Sequence, residues 1–413
     1  MKLFFAVDAL VLLLATGALG QQQSSATTTT SASGSSSSND SPIAQSSPAW
    51  LSDILTKSLH GDVNNQALQG YPQPSKLPPT DSPEVQAVIK AIDWTKVPNI
   101  PPRKTRSDGY VSIQDYNNNT DPDCWWSASR CVKPKYPGLP EDVSYCPNVG
   151  DWGLTFDDGP LTPDEREAAA EESEFYNFLA EHQQKADLFY IGSNVFKAPA
   201  AAQRALADGH TLCSHTWSHP PMTSLSNEQV VSELYWTLRV IKESTNVTVK
   251  CWRPPYGDVD DRVRAIAWQM GMHTILFDQV SFDWSLPGGP GGDNMPPSII
   301  DGYFEGWIQA LKDGTDNRRG HIVLQHEHSN ASVSLAEKWL PKIKEVFRVV
   351  SYTQCMNVSN PYWEEGFAYP TDNVKRTMLL SLDRILPTTI KTTTNISIIM
   401  SALALASAIY YIM

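Results

Sequence analysis

The chain has 413 residues, enough for one large domain or two to three small ones, and its 41% hydrophobic and 19% charged residues allow a sizeable buried core. A formal charge of -13 and a pI near 5.1 argue against nucleic acid, whose phosphates need a basic surface, and disfavour a strongly anionic substrate. A neutral polymer, or a product that turns cationic, fits that balance.

Residues 1–20 carry one basic residue, Lys2, then the apolar run Ala9–Ala15, and end in Ala18-Leu19-Gly20, the pattern of a secretory signal peptide. Residues 21–47 are almost all Ser, Thr, Gln, Ala and Gly. They lack apolar periodicity, so burial cannot offset their ordering entropy, and they read as a disordered stalk. Residues 48–145 form a Pro-rich, mostly irregular N-terminal extension with a helical patch at Ser82–Ile92. Trp125 and Trp126, beside Cys124, fit either a sugar contact or core packing.

From Tyr145 the pattern changes. Strand-like runs at Gly153–Phe156, Ala186–Ile191, Thr211–His215, Lys250–Arg253, Thr274–Phe277, Ile322–Gln325 and Phe347–Tyr352 alternate with helix-like segments. The helical segments are Pro163–His182, Pro199–Asp208, Asn227–Glu243, Val259–Met270, Ser298–Lys312 and Ser332–Val346, the first with Thr162 as cap. Such alternation predicts an α/β domain over 146–360, a parallel sheet with helical crossovers closing toward a distorted (β/α) barrel. Its chemistry then belongs where strands end. Residues 361–395 read as a linker. The apolar stretch 396–413, after the Thr-rich segment 387–395, reads as a glycosylphosphatidylinositol attachment signal, with a retained tail anchor as the alternative.

Six cysteines (Cys124, Cys131, Cys146, Cys213, Cys251, Cys355) in a secreted chain indicate disulfides. Cys124 and Cys131 are placed for a local staple, and Cys146 and Cys355 bracket the domain. Sequons at Asn39, Asn118, Asn246, Asn330 and Asn357 fit a glycosylated surface.

The polar residues at the strand ends carry the chemistry. Asp157-Asp158 repel each other unless one is protonated or metal-bound, though an Asp-Gly turn would also place them there. His215 and His219 lie four apart, which on a helical turn puts both imidazoles on one side. With one carboxylate they make a three-ligand metal site with open positions. Arg253-Pro254-Pro255-Tyr256 is a stiff turn able to orient a carboxylate and aim an N–H at an oxyanion. His326, closing an apolar run, is the candidate general acid, and His328 either substitutes for it or packs.

The blocks Thr155–Pro160, His215–His219, Arg253–Tyr256, Asp283-Trp284 and Leu324–His326 together resemble the polysaccharide deacetylases of carbohydrate esterase family four, and within it the fungal chitin deacetylases. The resemblance covers roughly residues 146–360. It implies a distorted (β/α) barrel with Asp157 as general base and Asp158, His215 and His219 as ligands of one divalent ion, zinc or cobalt. It further implies Arg253 orienting Asp157, Tyr256 lending its backbone N–H to an oxyanion hole, and His326 protonating the leaving amine. Trp284 would wall the sugar site and Leu324 the acetyl-methyl pocket, with Asp278 or Asp283 tuning His326. The implied activity is deacetylation of chitin or chito-oligosaccharides by a monomer, secreted and lipid-anchored at the membrane and cell wall. Acetylxylan or peptidoglycan is the alternative substrate. A non-haem iron triad needs neither the second Asp nor the Arg-Pro-Pro-Tyr turn. A lapsed, merely chitin-binding relative would have lost Asp157, a metal ligand or His326, and all are present.

Overall fold

The structure, a computed structural model, describes residues 47–52, 70–160, 170–288 and 294–369. The signal segment, most of the stalk with Asn39, the Thr162-Pro163 cap, the end of the Gly-rich insert Gly288–Gly292 and the apolar 396–413 stretch lie outside those residues. Among the described residues no helix is long and apolar enough to cross a membrane.

The elements run in chain order α1 (Pro83–Ala91), α2 (Trp126–Ser129), β1 (Asp151–Asp157), α3 (Ala170–Glu181), β2 (Asp187–Tyr190), α4 (Gly192–Lys197), α5 (Pro199–Ala207), β3 (Thr211–Ser214) and α6 (Asn227–Thr245). They continue with β4 (Cys251–Trp252), α7 (Asp261–Gln269), β5 (His273–Thr274), β6 (Gln279–Val280), α8 (Pro297–Lys312), β7 (His321–His326), α9 (Asn330–Lys344), β8 (Arg348–Val350) and α10 (Tyr352–Cys355). All seven strand-like runs are present. β6 was not expected, because two half-buried residues carry no alternation that local pattern can register. Helix α9 starts two residues earlier than the periodicity implies, because Ser329 and Ser332 form a reciprocal cap at its head.

The strands form one parallel sheet in the order β5-β4-β3-β2-β1-β7-β6, curled into a half-barrel with helices around it. Strand β1 is its axis and is buried along its whole length. β7 runs along one edge from Trp152 to Asp157. The other edge is shared, with β8 pairing Asp151–Gly153 and β2 pairing Thr155–Asp157. A strand buried on both faces is read as a near-continuous apolar run, which explains why Gly153–Phe156 was legible.

The long helix α6 is fixed at its start by a capping box between Ser226 and Gln229. It buries most of its surface against the sheet and against the extension. Helix α1, capped by Ser82, packs on α6 with Val85 and Val88 inward. The extension is tied in further by a buried ion pair. Arg264 holds Asp142 at 2.7 Å and also donates to the carbonyls of Cys124 and Cys131 at 2.6 and 2.8 Å. Removing one partner of such a pair costs roughly 3–5 kcal/mol. The described residues of the 48–145 segment therefore share the core of the α/β domain, and all described residues fall in one compact unit.

The expected linker also begins late. Tyr362 is buried and accepts from the Leu212 N–H at 3.0 Å, so residues 361–369 pack on the domain. Three disulfides close the fold: Cys124–Cys131, Cys146–Cys355 and Cys213–Cys251, the last joining β3 to β4. The four described sequon asparagines, Asn118, Asn246, Asn330 and Asn357, are all exposed.

Candidate active site

The C-terminal ends of the parallel strands converge on one cleft of about 420 Å³. Asp157 ends β1 and Asp158 follows it, His215 follows β3, Arg253 follows β4, and His326 ends β7. Asp157, Asp158, His215, His219, Tyr256, Trp284, Leu324, His326 and His328 line the cleft.

Asp158, His215 and His219 bring three ligand atoms within 4.8 Å of one another. Asp158 Oδ1 lies 3.4 Å from His215 Nε2 and 3.2 Å from His219 Nε2. Donors sharing a tetrahedral ion at about 2.0–2.2 Å stand about 3.3–3.6 Å apart, so these atoms are already spaced for one. Asp158 Oδ1 is buried and makes no hydrogen bond. His215 Nδ1 faces the Arg253 carbonyl at 2.8 Å, which fixes the proton on that nitrogen and turns the Nε2 lone pair toward Asp158. Burial opposes ionisation of Asp158. The facing imidazoles of His219 and His215 outweigh it and hold the carboxyl well below the usual range. The residues thus fit a divalent cation. A second cluster, Asp121 with Cys124 and Cys131, does not, because both sulfurs are consumed in a disulfide.

The two histidines reach this geometry without a helical turn, contrary to the expectation from their spacing. Residues 215–219 are a loop in which Thr216 (φ 67°) and His219 (φ 60°) are left-handed, and Pro220-Pro221 bars any helical continuation. Glu233 on α6 holds the loop, accepting from the Trp217 N–H at 2.7 Å, the Ser218 N–H at 2.9 Å and the Ser218 hydroxyl at 2.5 Å. Burial raises the Glu233 carboxyl to about 7, against the pull of those donors. Asp158 (φ 73°) and Tyr256 (φ 60°) are left-handed as well. Non-glycine residues pay about 1–3 kcal/mol each for such backbone and keep it where the surroundings over-determine it. Gly159 is required for another reason: a Cβ there would stand 1.5 Å from Glu327 Oε1.

Asp157 is flanked on both sides. Arg253, fully buried, donates from Nη1 to Asp157 Oδ1 at 2.6 Å and to Thr155 Oγ1 at 2.8 Å. Its remaining N–H groups reach the Ile275 and Leu276 carbonyls. Asp157 Oδ2 is left toward His215 Nε2 at 3.7 Å. At the end of the adjacent strand β7, Asp283 grips His326 twice, accepting from its backbone N–H and facing its Nδ1, both at 2.7 Å. Burial disfavours the charged imidazole, but Asp283, with Asp158 and Asp157, raises His326 to about 9. The Trp284 ring stands edge-on at 5.2 Å from His326, and His328 stacks on it at 5.1 Å. Between the two candidates for tuning His326, the contact is made by Asp283. Asp278 instead binds His321 Nδ1 at 2.9 Å and the Ile322 N–H at 3.0 Å, and it is absent from the cleft lining.

Sequence reasoning missed several supports. Glu233 left one trace, a lone carboxylate within the apolar run of α6. Asp258, fully buried, accepts from Trp125 Nε1 (2.8 Å), the Ser127 hydroxyl (2.7 Å), and the N–H and hydroxyl of Thr223 (2.8 and 2.7 Å). It therefore ties the extension to the Tyr256 turn, and nothing local announces a contact spanning 133 residues. Trp125 and Trp126 are both buried, and Trp126 also lines the cleft.

A three-donor cluster that fits a cation, beside a carboxylate oriented by arginine and in one cleft with a histidine held by another carboxylate, is the set of groups that metal-assisted hydrolysis uses. The polysaccharide deacetylase family model matches residues 145–275. A chitin deacetylase of Amylomyces rouxii is 42% identical over 286 residues, 69% of this chain and 65% of that one. Chitin deacetylase 2 of Cryptococcus neoformans var. grubii is 38% identical, covering 72% of this chain and 63% of its own length. Chitin deacetylase 3 of Cryptococcus neoformans var. neoformans is 32% identical, with 71% and 67% covered. The chain belongs to the polysaccharide deacetylase family. It spans slightly less than two thirds of the length of the first two relatives.

Proposed function

We propose that the protein is a metal-dependent chitin deacetylase that hydrolyses the acetamide of N-acetylglucosamine units, releasing acetate and leaving a free amine. The observation that carries this is that Asp157 and His326, register partners at the ends of adjacent strands, line one cleft with the Asp158–His215–His219 cluster. Support for chitin comes from the names of the fungal relatives.

Asp158, His215 and His219 hold the ion, with zinc the natural choice for a His₂-carboxylate set. When bound, such an ion polarises a carbonyl and acidifies water. Asp157, oriented by Arg253, takes a proton from the attacking water. The Tyr256 backbone N–H stabilises negative charge developing on the carbonyl oxygen. His326, protonated at neutral pH because of Asp283, gives its proton to the nitrogen as the C–N bond breaks. Leu324 and Trp284 bound the acetyl methyl and the sugar ring. Three disulfides and four exposed sequons support a secreted, glycosylated protein. The apolar 396–413 segment supports a lipid anchor at the cell surface.

The test incubates zinc-loaded protein with chitin oligosaccharides of graded length, and in parallel with acetylated xylan, measuring acetate and product mass. Acetate from the chitin series and none from xylan is expected. Release from xylan alone would overturn the substrate, and no release from either would overturn the activity.

A further inference from the structure

Three side chains in the cleft come from the N-terminal extension, outside every motif that marks the reaction: Tyr110, Trp126 and Arg130. Their backbone is well anchored. Trp126 N–H donates to the Val259 carbonyl at 3.0 Å, and Arg103 N–H to the Thr223 carbonyl at 2.8 Å. The Cys124–Cys131 disulfide closes the segment. Tyr110 sits on a short turn pinned by the Thr105–Val111 bridge.

The rings form a path outward from the cation site. Tyr256 lies edge-on to His219, with centroids 4.7 Å apart, and Tyr110 lies edge-on to Tyr256 at 5.2 Å. Both tyrosines are about half exposed, 48% and 46%. On the neighbouring wall the Arg130 guanidinium lies 3.9 Å over the Trp126 ring. Adjacent large rings left open to water at the mouth of a cleft are a binding feature, since packing alone would bury them. A pyranose offers the matching chemistry, an apolar C–H face for an aromatic ring and equatorial hydroxyls for a guanidinium fork.

We propose that residues 103–131 supply a subsite for the sugar unit next to the one being deacetylated, with Tyr110 as its stacking surface and Arg130 as hydrogen-bond donor. The proposal rests on the cleft being a chito-oligosaccharide site. It gives the extension a job: the catalytic residues act on one unit, and the extension sets how many neighbouring units the protein grips.

Calorimetry in an Asp157→Asn background separates this from turnover. Tyr110→Ala should weaken a chitin pentasaccharide about tenfold, the scale of losing one large ring's contact area, and the single unit N-acetylglucosamine, which cannot reach the neighbouring subsite, by much less. Tyr110→Phe should restore the pentasaccharide affinity. Equal affinity of Tyr110→Ala and its parent for the pentasaccharide would overturn the subsite. Equal losses for both lengths would also overturn it, by placing Tyr110's role on the Tyr256 turn. Acetate release is read separately on protein with Asp157 and Tyr110 intact. If none occurs, the deacetylase reading falls, and a length-dependent binding loss would still support the subsite.

Discussion

Glu233→Ala tests whether the metal-binding loop is held from behind. The carboxylate accepts from two backbone N–H groups and one hydroxyl of Trp217 and Ser218, between the ligands His215 and His219. Alanine orphans both amides at about 1–3 kcal/mol each, so stability should fall by about 2–6 kcal/mol. Outer partners of metal ligands typically govern about 10–100-fold in metal affinity, and a loss in that range is expected for zinc. Glutamine is the control. Its oxygen can occupy the Oε2 position and keep both amides, while its NH₂ donates to Ser218 Oγ, so affinity should stay near wild type. The same variant should flatten part of the pH dependence. Burial raises Glu233 from 4.5 to about 7 in the fold, so the folded chain binds its proton more tightly. Wild-type stability therefore falls as pH rises across that window, and Glu233→Gln removes this slope. Titration calorimetry with zinc and denaturant melts at several pH values provide both readouts. Wild-type zinc affinity in Glu233→Ala, despite lowered stability, would refute the clamp.

Asp157→Asn should abolish acetate release while zinc binding persists, because the three ligands are left in place; retained turnover would remove Asp157 as base. Asp283→Asn should move the alkaline limb of the kcat/KM profile to lower pH, since Asp283 is the main group raising His326 to about 9. An unmoved limb would mean another group supplies the proton. Replacing Cys146 and Cys355 together by serine opens a loop with a sequence separation of 209. Chain entropy then predicts a loss of about 5 kcal/mol; urea unfolding that shows under 1 kcal/mol, on the scale of error, would contradict it.

The strands of the half-barrel were legible because buried parallel strands such as Ile322–Gln325 are short apolar runs, and the reactive residues immediately follow them. The sequence pattern alone places Asp157, His215, Arg253 and His326 at strand ends. Local pattern failed where geometry comes from distant partners. The His215–His219 spacing suggested a helical turn, but left-handed residues and Glu233 shape a loop that brings the same two nitrogens together. Asp278 and Asp283 were indistinguishable in sequence, as both precede β7, and only the turn led by Phe282 (φ 60°) aims Asp283 at His326. The extension's role was not legible in sequence because its ties through Asp142, Asp258 and Tyr110 run to residues more than a hundred positions away.

The proposed chemistry needs one divalent ion among Asp158, His215 and His219. Anomalous diffraction at the zinc edge from crystals grown with zinc tests this most directly. It should give a single strong peak in contact with Asp158 Oδ1 and the Nε2 atoms of both histidines. A peak elsewhere, or none at that cluster under saturating zinc, would contradict the assignment and the hydrolytic chemistry built on it.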